Sequence, residues 1–262
     1  MRNFLVLFCL LFFVGCSDSG SKKKIKTEAM VEQASKRLLK QKPVVKQPSF
    51  LPTLSNKNYE DILLKYGNEN KETDLLIETE MGNIKIRLYK QPKMHRASFI
   101  YLAKMGYFNT TVFYRVIDDF VVQGGNSDNW DTQNLKAKIG NFKMKPEFFT
   151  ELYHKRGAVA MARNYSDNPD KLSSPYTFYI VQRGKIKPEG IKYLRQMEDQ
   201  IIPGDQADFY MKFGGSPSLD AEHTVIGEVL EGMDVVDAIA KVDTDEGDWP
   251  KKDIKITVKV LN

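Results

Sequence analysis

A closed antiparallel β-barrel capped by two helices is the fold class this sequence predicts for its C-terminal two-thirds. From Thr73 onward apolar residues alternate over many short runs, and only two stretches carry a full set of helix signals. Many short strands with few helices close into a barrel, which removes exposed sheet edges. A hydrophobic content of 42% with 11% aromatic residues is enough to fill one core in a chain of 262 residues.

At the N-terminus, Arg2 precedes an unbroken apolar run from Phe4 to Val14, too short to span a bilayer as a helix and matching the apolar part of a secretory signal over residues 1–15. The run ends Phe13-Val14-Gly15-Cys16 and continues Ser17-Asp18-Ser19-Gly20. This resembles the lipobox at which bacterial lipoproteins are cut and acylated on the new N-terminal cysteine, with Phe13 where leucine is usual. The resemblance implies lipidation of Cys16, a membrane partner reached through that lipid, and a domain in the bacterial cell envelope outside the cytoplasm, in the periplasm. An ordinary signal peptide with an incidental cysteine is the alternative. Acyl chains anchor because each buried methylene contributes about 0.8 kcal/mol.

Residues 16–72 read as a tether with short helical stretches, punctuated by Pro43, Pro48 and Pro52; Tyr59 to Tyr66 predicts an amphipathic helix docked on the domain. Residues 1–72 carry 13 Lys and Arg against 7 Asp and Glu, whereas residues 73–262 carry 26 against 27. The basic charge belongs to the tail, which suits anionic lipid or a plain solvated linker and argues against a nucleic-acid surface on the domain. Both cysteines, Cys9 and Cys16, precede the domain, so it can form no disulfide, thiolate metal site or cysteine nucleophile. No metal or cofactor is expected, and with no oligomer signal a monomer is the default.

The domain, residues 73–262, opens with a hairpin: Leu75, Ile77 and Thr79, a turn at Met81-Gly82-Asn83, then Ile84, Ile86 and Leu88. Pro92 opens a helix with Phe99, Leu102 and Ala103 facing a core, and Gly106 stops it. Strands follow at 112–117, 120–123, 157–163, 176–182 and 224–230, then a helix at 233–241 and an alternating run from Ile254 to Val260. Residues 184–217 are set apart as an insertion, with helices near 191–201 and 206–213 joined by a turn at Pro203-Gly204. It either borders the groove or is a surface excursion.

The run Phe113-Tyr114-Arg115-Val116-Ile117, then Phe120-Val121-Val122-Gln123-Gly124-Gly125, resembles the cyclophilin signature F-H-R-V-I-x-x-F-x-x-Q-G-G. Gly157 to Ala162, Phe178 to Val181 and Leu219 to Val229 fall in the same order as in that family. The resemblance implies an eight-stranded barrel capped by two helices. It also implies peptidyl-prolyl cis-trans isomerase activity on proline-containing peptides and unfolded exported proteins. Rotation about an Xaa-Pro bond needs no nucleophile: the barrier of about 18–20 kcal/mol comes from amide resonance, and the task is to bind the twisted state best. Arg115 is the candidate catalytic donor, because a guanidinium stays charged and offers several N–H groups at once. Gln123 is expected to orient it. The family match places Phe120, Val121, Tyr179, Leu219 and His223 around the proline and Ala162 and Arg163 along the peptide, Arg163 adding a positive charge. His223 reads as pocket wall in preference to proton shuttle, and His95 and His154 as structural or exposed.

The chain departs from the family at Thr177, where a substrate-binding glutamine is expected, and at Ser218, where tryptophan is frequent. A lost hydrogen bond weakens binding by about 0.5–1.5 kcal/mol, which predicts reduced, not abolished, activity. A low-activity or inactive peptide-binding module and an envelope scaffold are the competing classes.

Overall fold

The computed structural model describes residues 49–261; the expected signal sequence, Cys16 and the expected tether up to residue 48 lie outside the described residues. The compact unit runs from Pro48 to Asn262, so the boundary expected at Thr73 falls inside it. Its strands are β1 (Leu54–Ser55), β2 (Asp74–Thr79), β3 (Gly82–Leu88), β4 (Val112–Ile117), β5 (Val121–Asn126), β6 (Gly140–Asn141), β7 (Ala158–Met161), β8 (Phe178–Val181), β9 (Val225–Glu231), β10 (Ile254–Lys255) and β11 (Thr257–Val260). Its α-helices are α1 (Tyr59–Glu69), α2 (Lys93–Lys104), α3 (Trp130–Ile139), α4 (Pro188–Met197), α5 (Gly204–Phe213) and α6 (Met233–Ala240).

Nine strands form one antiparallel sheet in the order β10-β4-β5-β8-β7-β9-β3-β2-β11. The two edges, β10 and β11, are consecutive in the chain and separated only by Ile256, whose N–H donates to the Thr111 carbonyl. One bent segment therefore joins both edges, and the nine strands are eight runs closed on themselves. The hairpin pairs Leu75 with Ile86 and Ile77 with Ile84.

Alternation along the strands sorts side chains onto two faces, because successive residues of a strand point to opposite sides. Val122 of β5, Val159 and Met161 of β7, and Phe178 and Ile180 of β8 belong to the main core, with Phe99 and Leu102 of α2 and Val236 and Ile239 of α6. These are the two capping helices that the sequence predicts. The neighbouring residues Val121, Ala158, Ala160, Ala162, Tyr179 and Val181 form a second, smaller cluster on the other face. That face carries the site.

The expected docked helix is α1, which buries Tyr59 and Leu63. Helix α3 was not anticipated. The insertion holds α4 and α5 around a small core of its own, Ile191, Ile202, Ala207 and Tyr210. Among the described residues no helix is long and apolar enough to cross a membrane.

Candidate active site

Register brings the candidate residues into one row. Arg115 on β4 lies opposite Gln123 on β5, Gln123 opposite Tyr179 on β8, and Tyr179 opposite Ala160 on β7. Directly opposed residues share a face, so the row runs across four strands with the cationic end at Arg115. The double glycine that ends the signature has two physical causes. A Cβ on Gly124 would sit 2.7 Å from Ile256 Cδ1 inside the barrel, and Gly125 has φ +93° with the Tyr176 carbonyl 2.2 Å from where its Cβ would stand.

Next to Arg115 the second cluster makes an apolar wall. Val121, Ala162, Tyr179 and Leu219 are buried, Phe120 is half-buried beside them, and Ala158 and Ala160 are buried beneath. His223 is buried too; its ring meets that of Tyr179 nearly at a right angle at 5.4 Å. Its Nδ1 donates to the Met161 carbonyl at 3.2 Å and its Nε2 accepts from the Tyr165 hydroxyl at 2.6 Å. Burial, then the His154 ring, lower its pKa to about 4. The imidazole is neutral at neutral pH.

Arg115 is only partly exposed and is held through Nε by Asp248 Oδ2 at 3.2 Å. Gln123 does not hold it. The Gln123 amide donates instead to the Tyr114 hydroxyl, which also bonds Thr177. The orienting role expected of Gln123 therefore passes to Asp248, and the amide is fixed by a phenol next door in sequence to the arginine. Burial raises the Tyr114 pKa, and the bonds from Gln123 and Thr177 only partly offset it. Thr177, shorter than glutamine, is thus tied into the same network.

Arg163 does not add the positive charge expected. Its guanidinium is ion-paired with Glu222, donates through Nε to the Glu222 carbonyl at 2.8 Å, and lies 4.1 Å over the Tyr165 ring. Burial works against the Glu222 carboxylate, but Lys171 and Arg163 outweigh it and hold its pKa down. The main chain at Ala162 is tied to the strand edge: its N–H donates to the Thr177 carbonyl at 2.9 Å and its carbonyl accepts from Ser174 at 2.9 Å.

The two remaining histidines are structural and fully buried, His95 between Glu147 and Ser173 and His154 between Asp220 and Tyr179. Tyr179 carries a hydroxyl that a phenylalanine would lack, and His154 Nε2 accepts from it at 3.0 Å. Asp248, Tyr165, Tyr114 and His154 were not among the predicted site residues. Only Tyr114, inside the signature, had a sequence signal.

A donor fixed beside a small apolar cluster on the barrel surface can hold a carbonyl while a ring is gripped next to it. That arrangement, on a closed antiparallel barrel, defines a peptide-binding site of the prolyl-isomerase kind. Residues 75–260 match the family described as cyclophilin type peptidyl-prolyl cis-trans isomerase, and the chain belongs to it. A Staphylococcus saprophyticus protein named as a peptidyl-prolyl cis-trans isomerase is 35% identical over 192 residues, covering 72% of this chain and 90% of that protein. A Streptococcus pyogenes protein, named as a bifunctional phosphatase and peptidyl-prolyl cis-trans isomerase, is 36% identical over 191 residues; the match takes in 71% of this chain but only 38% of that longer protein. The fold is shared with a cyclophilin from Cryptosporidium parvum at TM-score 0.52 and 20% identity, covering 73% of this chain and 98% of that one. A second structure of that cyclophilin, determined in the presence of the dipeptide Ala-Pro, matches at TM-score 0.51 and 21% identity over 72% of this chain and 99% of that one.

Proposed function

We propose that the domain catalyses rotation about Xaa-Pro bonds of exported proteins while held at a membrane through acylated Cys16, outside the cytoplasm. The observation that carries the catalytic part is Arg115, held by Asp248 at one end of a row that runs through Gln123 to the Tyr179 pocket. Proline sits in the pocket, and the guanidinium bonds its carbonyl and favours the twisted state, in which the nitrogen lone pair is localised. Catalysis of this kind needs only interactions that strengthen in the transition state. Chain folding outside the cytoplasm makes proline isomerisation useful, since uncatalysed it takes about 10–100 s.

Exchange NMR on a short Xaa-Pro peptide tests the chemistry. The full chain accelerates exchange, and Arg115→Ala loses about 10²–10³ of kcat/KM, the scale for removing one transition-state donor. Peptide line broadening without acceleration by the unaltered chain would leave a binding module instead. Mass spectrometry of the mature N-terminus tests the anchor: a lipid-modified Cys16 supports it, and an unmodified N-terminus beyond residue 16 refutes it.

A further inference from the structure

A cavity of about 250 Å³ is lined by His223, by the loop carrying Phe148 and Phe149, and by the insertion, which contributes Ile201 and Gln206. Val225, a member of the apolar cluster next to Arg115, and Leu152, which packs against it, also line the cavity, so the cavity borders that cluster. The cavity is smaller than the roughly 300–1,000 Å³ typical of small-molecule sites. It has the size for a single side chain.

The polar groups in its wall are already engaged. Asp220 accepts from the His154 main-chain and ring N–H groups at 2.8 and 2.9 Å through one oxygen and from the Tyr210 hydroxyl at 2.6 Å through the other. Glu147 accepts from Met94, and from the N–H and ring of His95. The Gln206 amide donates to the Thr150 carbonyl at 2.6 Å. What remains to meet a ligand is mostly apolar: Phe148, Phe149, Leu152, the Tyr153 ring, Ile201 and Val225, with the Thr150 hydroxyl beside them. Ile201 is 92% exposed and Phe148 38%, an apolar rim standing in solvent beside the pocket.

We infer that this cavity is a second peptide subsite, built by the insertion, which takes one apolar or aromatic side chain from a residue of the bound peptide outside the Xaa-Pro pair. The inference rests on the prolyl-isomerase reading and names a substrate preference for it. The chain thereby selects proline bonds flanked by apolar sequence, the composition that an unfolded chain exposes and a folded one buries.

The test scans a single phenylalanine, and in a parallel series a single lysine, through the three positions on either side of an Xaa-Pro bond in an otherwise alanine peptide. The full chain and its Ile201→Ser and Phe148→Ser variants are compared, each reading both affinity and exchange rate. One phenylalanine position is expected to bind about tenfold tighter than the all-alanine peptide, about half or more of what burying the ring in full contributes. Both variants lose that gain while turning over the all-alanine peptide as the unaltered chain does. A flat phenylalanine scan, a gain that survives both variants, or a gain for lysine instead overturns the subsite and leaves the isomerase standing. Absence of turnover on every peptide, with the phenylalanine gain still dependent on Ile201, refutes the isomerase and keeps the subsite.

Discussion

Tyr179→Phe tests how the insertion reaches the pocket. The substitution keeps the ring at the proposed proline site and removes one hydroxyl. That hydroxyl donates to His154 Nε2 at 3.0 Å, the other ring nitrogen donates to Asp220 at 2.9 Å, and Asp220 is bonded by Tyr210 of α5 at 2.6 Å. The carboxylate fixes the tautomer, since a nitrogen that donates to Asp220 leaves Nε2 as the acceptor. Burial raises the Tyr179 pKa well above its ordinary value, so the hydroxyl keeps the proton it donates. His154 is fully buried, and phenylalanine would leave its Nε2 without a partner, at a cost of about 1–3 kcal/mol. For a domain of this size that is a fall in Tm of about 2–4 °C per kcal/mol. The assay is urea unfolding of the unaltered chain, Tyr179→Phe, Tyr210→Phe and the double variant. A shift in the midpoint with unchanged slope is expected, with a coupling between the two sites of at least about 0.5 kcal/mol. Additive effects within error, or a Tyr179→Phe variant as stable as its parent, would refute a connected chain of hydrogen bonds from insertion to pocket.

Asp248→Asn keeps the shape of the Arg115 partner and removes its charge; kcat/KM is expected to fall several-fold, with KM for peptide little changed, in the exchange assay. Stability should decline with acid because of His223: its folded pKa, about 4, lies below the unfolded 6.5, so its contribution is full above pH 6.5 and is lost as pH falls towards 4. The loss is on the order of 3 kcal/mol, and His223→Gln should flatten that part of the urea midpoint profile. Gly125→Ala forces a side chain into φ +93° and against the Tyr176 carbonyl, so it should lower the Tm measurably and disturb the Thr177 segment in amide exchange.

The strands were legible because both faces of this sheet are apolar in alternation, as with Val121 and Val122 or Tyr179 and Ile180. Helix α3 was not, because only Thr132 and Ile139 are buried along it and no apolar stripe marks it. Its one local signal is Asn129, whose side chain accepts from the Asp131 N–H. The insertion helix expected from Ile191 begins three residues earlier at Pro188, a position proline favours at the first turn. Arg115 was legible from the signature, but its partner was not. Asp248 lies 133 residues further along the chain, in a turn with no periodicity to betray it.

Two hydroxyls beside the apolar cluster are held in the same way. Those of Tyr179 and Thr177 each have a protein partner, His154 and Tyr114 respectively. A polar atom placed at an apolar pocket costs free energy unless it is bonded. Because both are bonded within the protein, the proposed proline site keeps its apolar surface, and Arg115 keeps its Asp248 partner. A reaction that requires only differential binding tolerates the departure at Thr177, since no proton or electron pair passes through it. Thr177 and the insertion are therefore expected to alter which peptides bind and how tightly, more than how fast a bound bond turns.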